Sequence, residues 1–212
     1  MMAPRALMVT VVLFSLRDEA LQVLLVPRGE RWELPGEGVG ESEGLEEAAN
    51  RVLATLIKRR EAYLEQLYTY GNPARDARPA TVSVVYFALV PAGTGLLPGT
   101  AVHWAAVTLL PLLIGDQAEI LAYALRRLRY KLEYSAVGFQ LLPQEFTLSE
   151  LQHTYEIILD ERLDKRNFRR RILASGIIEE TSRLRTGEGR PARLYRYRPD
   201  AVAEVKARRL FP

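Results

Sequence analysis

Apolar residues recur along the chain with two periods, close to two and close to 3.6, and the changes between them mark out the elements. Residues 6–16 and 21–27 are dense in Val, Leu and Phe and are separated by Arg17-Asp18-Glu19, so they read as a hairpin. Trp32-Glu33-Leu34 ends a short extended piece, and Pro35-Gly36 turns the chain. A Gly-rich loop follows, with Gly36, Gly38, Gly40 and Gly44. Leu45, Ala48, Ala49, Val52, Leu53, Leu56 and Ile57 then recur at helical spacing, predicting an amphipathic helix over about residues 44–58. Glu41, Glu43, Glu46 and Glu47 crowd its start, where the helix dipole favours negative charge. Residues 62–70 and 80–90 read as strands, the second strongly β-branched, around a polar loop at 74–79. A Gly/Pro-rich turn at 91–98 leads to a last strand over 101–107. Strands around one long helix predict a mixed α/β layer fold.

The period changes for good after that. Leu121, Leu125, Leu128 and Leu132 form the stripe of a helix over 116–131, with Asp116 as its N-cap. Leu141-Leu142-Pro143 breaks the chain, which sets the expected domain boundary between residues 143 and 144. Thr147 and Ser149 begin a short helix with Leu151, Tyr155, Ile158 and Leu159 as its inner stripe. Asp160–Leu163 is a tight connection; Asp164 caps a second helix, 165–174, with Phe168, Ile172 and Leu173 inward. Gly176 suits its C-terminus. Residues 177–180 and 194–198 read as strands around a loop, 181–193, that carries Arg183, Arg185, Arg190 and Arg193. Helix, turn, basic helix and basic hairpin, in that order, predict a winged helix-turn-helix, whose second helix enters the major groove of DNA.

Charge sharpens this division. The net charge of +3 conceals an asymmetry. Residues 1–144 hold 14 Lys+Arg against 15 Asp+Glu, whereas residues 162–198 hold 12 against 4. Such a concentration points to an anionic partner, nucleic acid first, with a solvated basic face as the plainer alternative. There are no cysteines, which excludes disulfides and thiol catalysis and fits a reducing, cytoplasmic setting. His103 and His153 lie too far apart in sequence to suggest a metal cluster or a triad, and no metal site or catalytic residue is assigned. The apolar run at 6–14 is too short to span a membrane and lacks the pattern of a signal peptide.

The loop and helix from Arg31 to Arg60 resemble the Nudix box, G-x5-E-x7-R-E-U-x-E-E-x-G-U, in which glutamates hold divalent cations against a nucleoside diphosphate. Glu43 and Arg51 keep the E-x7-R spacing, and Leu53 fits the aliphatic position. Gly36 stands one residue early, with Glu37 in its place; Val52, Thr55-Leu56 and Lys58 replace the remaining glutamates and the glycine. Hard cations need several oxygen ligands, and Val52 and Leu56 supply none. The stretch without the resemblance is an ordinary loop and an acidic-capped helix. Further on, YLEQLYTYGNPARDARPATVSVVYF resembles the segment that follows the box in Nudix proteins handling ADP-ribose. There Arg75 and Arg78 would pair with phosphate oxygens through their guanidinium forks; otherwise they are solvated loop arginines.

The whole arrangement resembles the Nudix-related transcriptional regulators of the NrtR type, most specifically in the runs LDKRNFRR (163–170) and GRPARLYR (189–196). One departure is Gln117, where that family often has His. The resemblance implies a Nudix-like α/β/α sandwich followed by a winged helix-turn-helix domain. It implies a homodimeric repressor of NAD-related or sugar-metabolism genes that binds an operator in double-stranded DNA. It needs no cofactor, and its effector is ADP-ribose or a related nucleotide or phosphorylated sugar. By that resemblance the effector meets Arg31, Glu33, Gly36, Arg51, Arg75 and Arg78. DNA meets Ser149 and the helix residues Lys165, Arg166, Asn167, Arg169 and Arg170, with Arg190 and Arg193 on the wing. Two readings compete: a divergent Nudix hydrolase that recruits Glu41, Glu43, Glu46 and Glu47, and an architectural DNA-binding protein that leaves the Gly-rich loop without a task.

Overall fold

The computed structural model describes residues 6–58, 62–72, 81–186 and 191–198. The chain forms two compact units, Met1–Leu125 and Arg126–Pro212. In the first, strands β1 (Ala6–Arg17) and β2 (Ala20–Arg28) form the expected antiparallel hairpin, with Arg17 opposite Ala20. Its two-residue turn, Asp18-Glu19, takes φ of 49° and 58°, the left-handed geometry that matches the strand twist in tight hairpins. Strand β3 (Arg31–Glu33) pairs with the end of β2. Strand β4 (Gly36–Gly38) folds back antiparallel on the first half of β1. A Cβ on Gly36 would stand 2.7 Å from the Val9 carbonyl oxygen, so this close approach requires glycine.

Helix α1 (Leu45–Ala54) follows. Glu47 accepts from the Gly44 amide at 2.9 Å, satisfying one of the orphan donors of the first turn. The small residues Ala48 and Ala49, fully buried, let the helix lie close against the sheet. Its end comes earlier than the apolar spacing predicts. The Thr55 hydroxyl bonds back to the Val52 carbonyl, and the chain then pairs with a neighbouring turn, Leu97 N to Leu56 O and Lys58 N to Gly95 O. Leu56 and Ile57 keep their place in the core although they have left the helix.

Strand β5 (Tyr63–Tyr70) is antiparallel to β6 (Thr81–Leu89), and β6 runs parallel to β1 from Ala6↔Thr81 to Phe14↔Leu89. With β7 (His103–Ala106) on β2, the sheet order is β3-β2-β1-β6-β5. Val9, Val11 and Leu13 of β1, with Val84, Tyr86 and Ala88 of β6, meet α1. The alternate residues Val12, Phe14, Val85, Phe87 and Leu89 are equally buried on the opposite face, as expected of a sheet covered on both sides. Helix α2 (Gln117–Tyr134) begins with the buried Ile120, Leu121 and Ala124. The buried Gln117 side chain accepts from the Leu34 amide at 2.6 Å, so it fastens the start of α2 to the chain leaving β3.

The second unit starts within α2, not at the expected break after residue 143. Arg129 donates to the Ile158 carbonyl at 2.8 Å, and Leu132 packs beside Gly138 together with Tyr155. A 3-10 turn (Ala136–Leu141) brings Phe139 against Phe146 and Tyr197. Strand β8 (Glu145–Phe146), helices α3 (Leu148–Leu159) and α4 (Lys165–Ala174), and strands β9 (Ile178–Arg185) and β10 (Ala192–Tyr197) complete a winged helix with sheet order β8-β10-β9. The two caps read from sequence for this unit, at Thr147 and Asp164, are formed. Thr147 and Glu150 make a reciprocal capping box, and Asp164 accepts from the Asn167 amide at 2.7 Å. Leu173, expected inward, is half exposed: the buried Phe168 and Ile172, four residues apart, share one face of α4, and Leu173 points off that line. The hairpin is longer than expected: Arg183, Arg185 and Arg193 lie on strands. Among the described residues no helix is long and apolar enough to cross a membrane.

Candidate functional site

In the first unit the two retained box residues form a brace. Arg51 donates from Nε to Glu43 at 2.7 Å and from Nη2 to Glu43 at 2.8 Å and to the Gly38 carbonyl at 2.9 Å; its Nη1 donates to Glu37. Glu43 also accepts from the Gly40 amide at 3.0 Å. The Gly-rich loop is thereby tied to α1 at three points. The Arg51 guanidinium, then the Gly40 amide, hold the Glu43 carboxyl at about 2, and Glu43 in turn pushes Arg51 upward. Val52 and Leu56, at the positions of two box glutamates, are 2% and 5% exposed within the core cluster under the sheet. Among the described residues no three His, Asp or Glu side chains converge on a cation site.

The brace has a pH signature. A folded carboxyl held below its unfolded value contributes stability that is complete above that value, about 4.3, and is lost as pH falls toward about 2. Carboxyl-carbon NMR of Glu43 is expected to show a titration at about 2. A midpoint in the ordinary carboxylate range overturns the brace.

A cleft of about 580 Å³ opens between the end of β5 and the start of α2, lined among others by Tyr68, Tyr70, Asn72, Gly115, Asp116 and Glu119. A β-bulge in β5 between Gln66 and Tyr68 shifts the register there, and bulges re-aim side chains. Tyr68 is 57% exposed and meets Tyr70 and Tyr123 edge-on, at 5.3 and 6.1 Å between centroids.

In the second unit the turn between α3 and α4 is clamped from α3. Glu156 accepts from the Leu163 amide at 2.9 Å and from Gln152 at 3.0 Å, while Gln152 donates to the Leu163 carbonyl at 2.9 Å. The Leu163 amide, above all, holds the Glu156 carboxyl below its usual range. This clamp ties the turn before α4 to α3. Lys165 and Arg166 stand exposed on the first turn of α4, and among the described residues neither makes an ion pair. Asn167 accepts from Arg170 at 2.5 Å, and Arg169 donates to Ser149 at 3.1 Å across to α3.

Residues 138–197 match the family model of the NrtR DNA-binding winged helix domain. Over 202 residues the chain is 38% identical to the "ADPR responsive transcriptional repressor NtrR" of Acinetobacter baylyi, covering 89% of this chain and 80% of that protein. The chain belongs to the NrtR family of transcriptional regulators. The crystal structure of Shewanella oneidensis NrtR complexed with a 27mer DNA is 36% identical, with a TM-score of 0.82 over 93% of this chain and 95% of that one. The NUDIX domain of the same Shewanella protein, complexed with ADP ribose, matches at 33% identity and a TM-score of 0.51, over 60% of this chain and 90% of that one.

Within this NrtR-family chain, the residues picked out for an effector fall into three groups. Arg51 sits in the loop brace, while Gly36 stands on β4 opposite Thr10 of β1, one residue before the brace residue Glu37. Arg31 and Glu33 lie on β3, with Glu33 within 4.0 Å of Arg28. Arg75 and Arg78 lie outside the described residues, as does Arg190 on the DNA side. Arg169 on α4 is linked to Ser149 on α3, Arg170 is linked to Asn167 within α4, and Arg193 is paired on the wing with Glu180 at 2.5 Å. Sequence reasoning missed the Gln152–Glu156 clamp, although an i, i+4 polar pair on the buried side of α3 signals it. It also missed the tyrosine-lined cleft, because β5 and the start of α2 lie far apart in sequence and meet only in the fold.

Proposed function

We propose that this chain is a DNA-binding transcriptional repressor whose Nudix-like unit senses ADP-ribose or a related nucleotide without hydrolysing it. The observation that carries the reading is a combination. A winged helix presents an exposed basic helix, α4, in the same chain as a Nudix-like unit whose box positions 52 and 56 are buried apolar core. The names of the Acinetobacter and Shewanella relatives support the same partners, operator DNA and ADP-ribose. A sensor must not destroy its signal, which suits a box without its cation ligands. The hydrolase reading is weakened because Glu43 and Glu47 are already engaged, by Arg51 and by the Gly44 amide. The effector cleft is the one at β5 and α2, of a size suited to a nucleotide. The repressor acts in the cytoplasm as a homodimer on a palindromic site, since one recognition helix covers only a few base pairs. The effector acts by linkage: it must bind the DNA-incompetent arrangement better, or it shifts nothing.

The test uses the full chain and a palindromic duplex selected by it from a randomised pool. Sedimentation is expected to show a dimer. ADP-ribose is expected to weaken duplex binding, and incubation with ADP-ribose and Mg²⁺ or Mn²⁺ is expected to yield no AMP. Turnover of ~1 s⁻¹, an ordinary enzyme rate, makes the protein a hydrolase. Unchanged DNA affinity at saturating ADP-ribose removes the sensor.

Helix α4 carries sequence recognition. Asn167→Ala is expected to cost about 1–3 kcal/mol on the selected site and little on a scrambled duplex. Equal losses on both duplexes would mean that Asn167 only braces Arg170.

A further inference from the structure

The wing is rich in arginine, yet the four arginines that lie on β9 and β10 among the described residues are already answered from within the protein. Arg183 donates to Glu145 at 2.8 Å, and Arg185 donates to Glu150 at 2.6 Å. Arg193 donates to Glu180 at 2.5 Å, and Arg196 donates to Glu179. These four arginines, all on β9 and β10, each face a carboxylate. Two of the carboxylates lie on β9 itself, one on β8 and one on α3. The pairs are exposed, the Arg193 and Glu180 side chains at 66% and 43%, and exposed ion pairs add little to stability. Their effect on an approaching polyanion is larger. A carboxylate hydrogen-bonded to a guanidinium is far inside the screening length of physiological salt, about 8 Å. A DNA phosphate therefore meets four local dipoles instead of four cations. Helix α4 differs: Lys165 and Arg166 are exposed without such partners among the described residues, and Arg169 and Arg170 bond neutral side chains.

Resting on the DNA-binding reading, we propose that Glu145, Glu150, Glu179 and Glu180 are internal competitors for DNA phosphate, which neutralise the arginines of the wing strands β9 and β10 so that affinity resides in the recognition helix. The consequence is selectivity. Phosphate contacts supply the sequence-independent part of binding. A wing whose arginines were bare would strengthen binding to every duplex and dilute the contribution of α4. Glu150 has a second task, because its other oxygen caps Thr147. Glu179 and Glu180 lie on a strand, away from any helix cap, and are the cleaner positions to change.

The experiment compares the full-length wild type with E179Q/E180Q on two duplexes of about 30 base pairs, roughly three helical turns, by fluorescence anisotropy over a series of salt concentrations. One probe is the duplex selected by the wild type, the other a scrambled duplex. The double variant is expected to bind the scrambled duplex at least about threefold more tightly. Its slope of log K against log salt should be steeper by about 0.9 for each further phosphate that the wing neutralises, and its selected-to-scrambled ratio should fall. E179D/E180D keeps the charge and is expected to behave as the wild type, and E145Q tests the same idea on a different strand. Unchanged or weaker binding of both glutamine variants to the scrambled duplex, with unchanged slope and normal melting, overturns the proposal. Failure of the wild type to bind either duplex instead overturns the DNA-binding reading on which it rests.

Discussion

Phe168→Ala is expected to unfold the second unit under conditions in which the wild type is stable. Phe168 is 2% exposed and stands edge-on to the fully buried Tyr155, at 5.7 Å between ring centroids. It is the largest side chain with which α4 seats on α3. Truncating a buried phenylalanine to alanine costs about 3–5 kcal/mol, from lost burial and from the cavity left behind. Small domains have roughly 5–15 kcal/mol in total, so this is a large part of what holds α4 in place. In a unit of this size each kcal/mol moves the midpoint by about 4–8 °C. Calorimetry of the full chain should show one transition moved down by tens of degrees and, at the lower temperature, loss of duplex binding. A cost under about 1 kcal/mol would mean that α4 does not need this contact.

The second large effect concerns the box. Reinstating its glutamates with Val52→Glu and Leu56→Glu is expected to destabilise the first unit by several kcal/mol and not to create a cation site. Both positions are buried in the cluster formed by α1 and the sheet. An ion placed there without a partner loses its hydration, a penalty of several kcal/mol for each charge, or it stays protonated and still leaves a polar group unsatisfied. Arg51 cannot rescue them, because Glu37, Glu43 and the Gly38 carbonyl already engage it. Chemical denaturation in the presence and absence of Mn²⁺ decides the matter. A double variant that is stabilised by Mn²⁺ and releases AMP from ADP-ribose would show that the metal face had only been silenced. The loss of ligands in this chain would then be reversible by two substitutions.

These two cases also mark how far the sequence reaches. The hairpin of β1 and β2, the start of α1, both helices of the winged unit and the caps at Thr147 and Asp164 were all legible, because each depends on residues within a few positions of one another. Period, cap and turn chemistry are local properties, and they survive without knowledge of the partner. The family resemblance added the order of the two domains. The tertiary structure decided everything that depends on which surface meets which. Period alone shows that Val52 shares the helix face of Ala48 and Ala49, but not whether that face meets a cation or a sheet. The parallel pairing of β1 with β6, from Ala6↔Thr81 to Phe14↔Leu89, joins strands far apart in sequence and fixed the answer. The same holds for charge. Arg183 and Arg185 looked like loop cations because their partners, Glu145 and Glu150, stand 38 and 35 residues away. No composition window joins them; only the sheet order β8-β10-β9 and the seat of α3 do. Nor did the break at Pro143 reveal that α2 contributes to both units. A helix has one continuous hydrogen-bonded backbone and one continuous stripe, so nothing along it records that Leu121 and Leu132 belong to different cores.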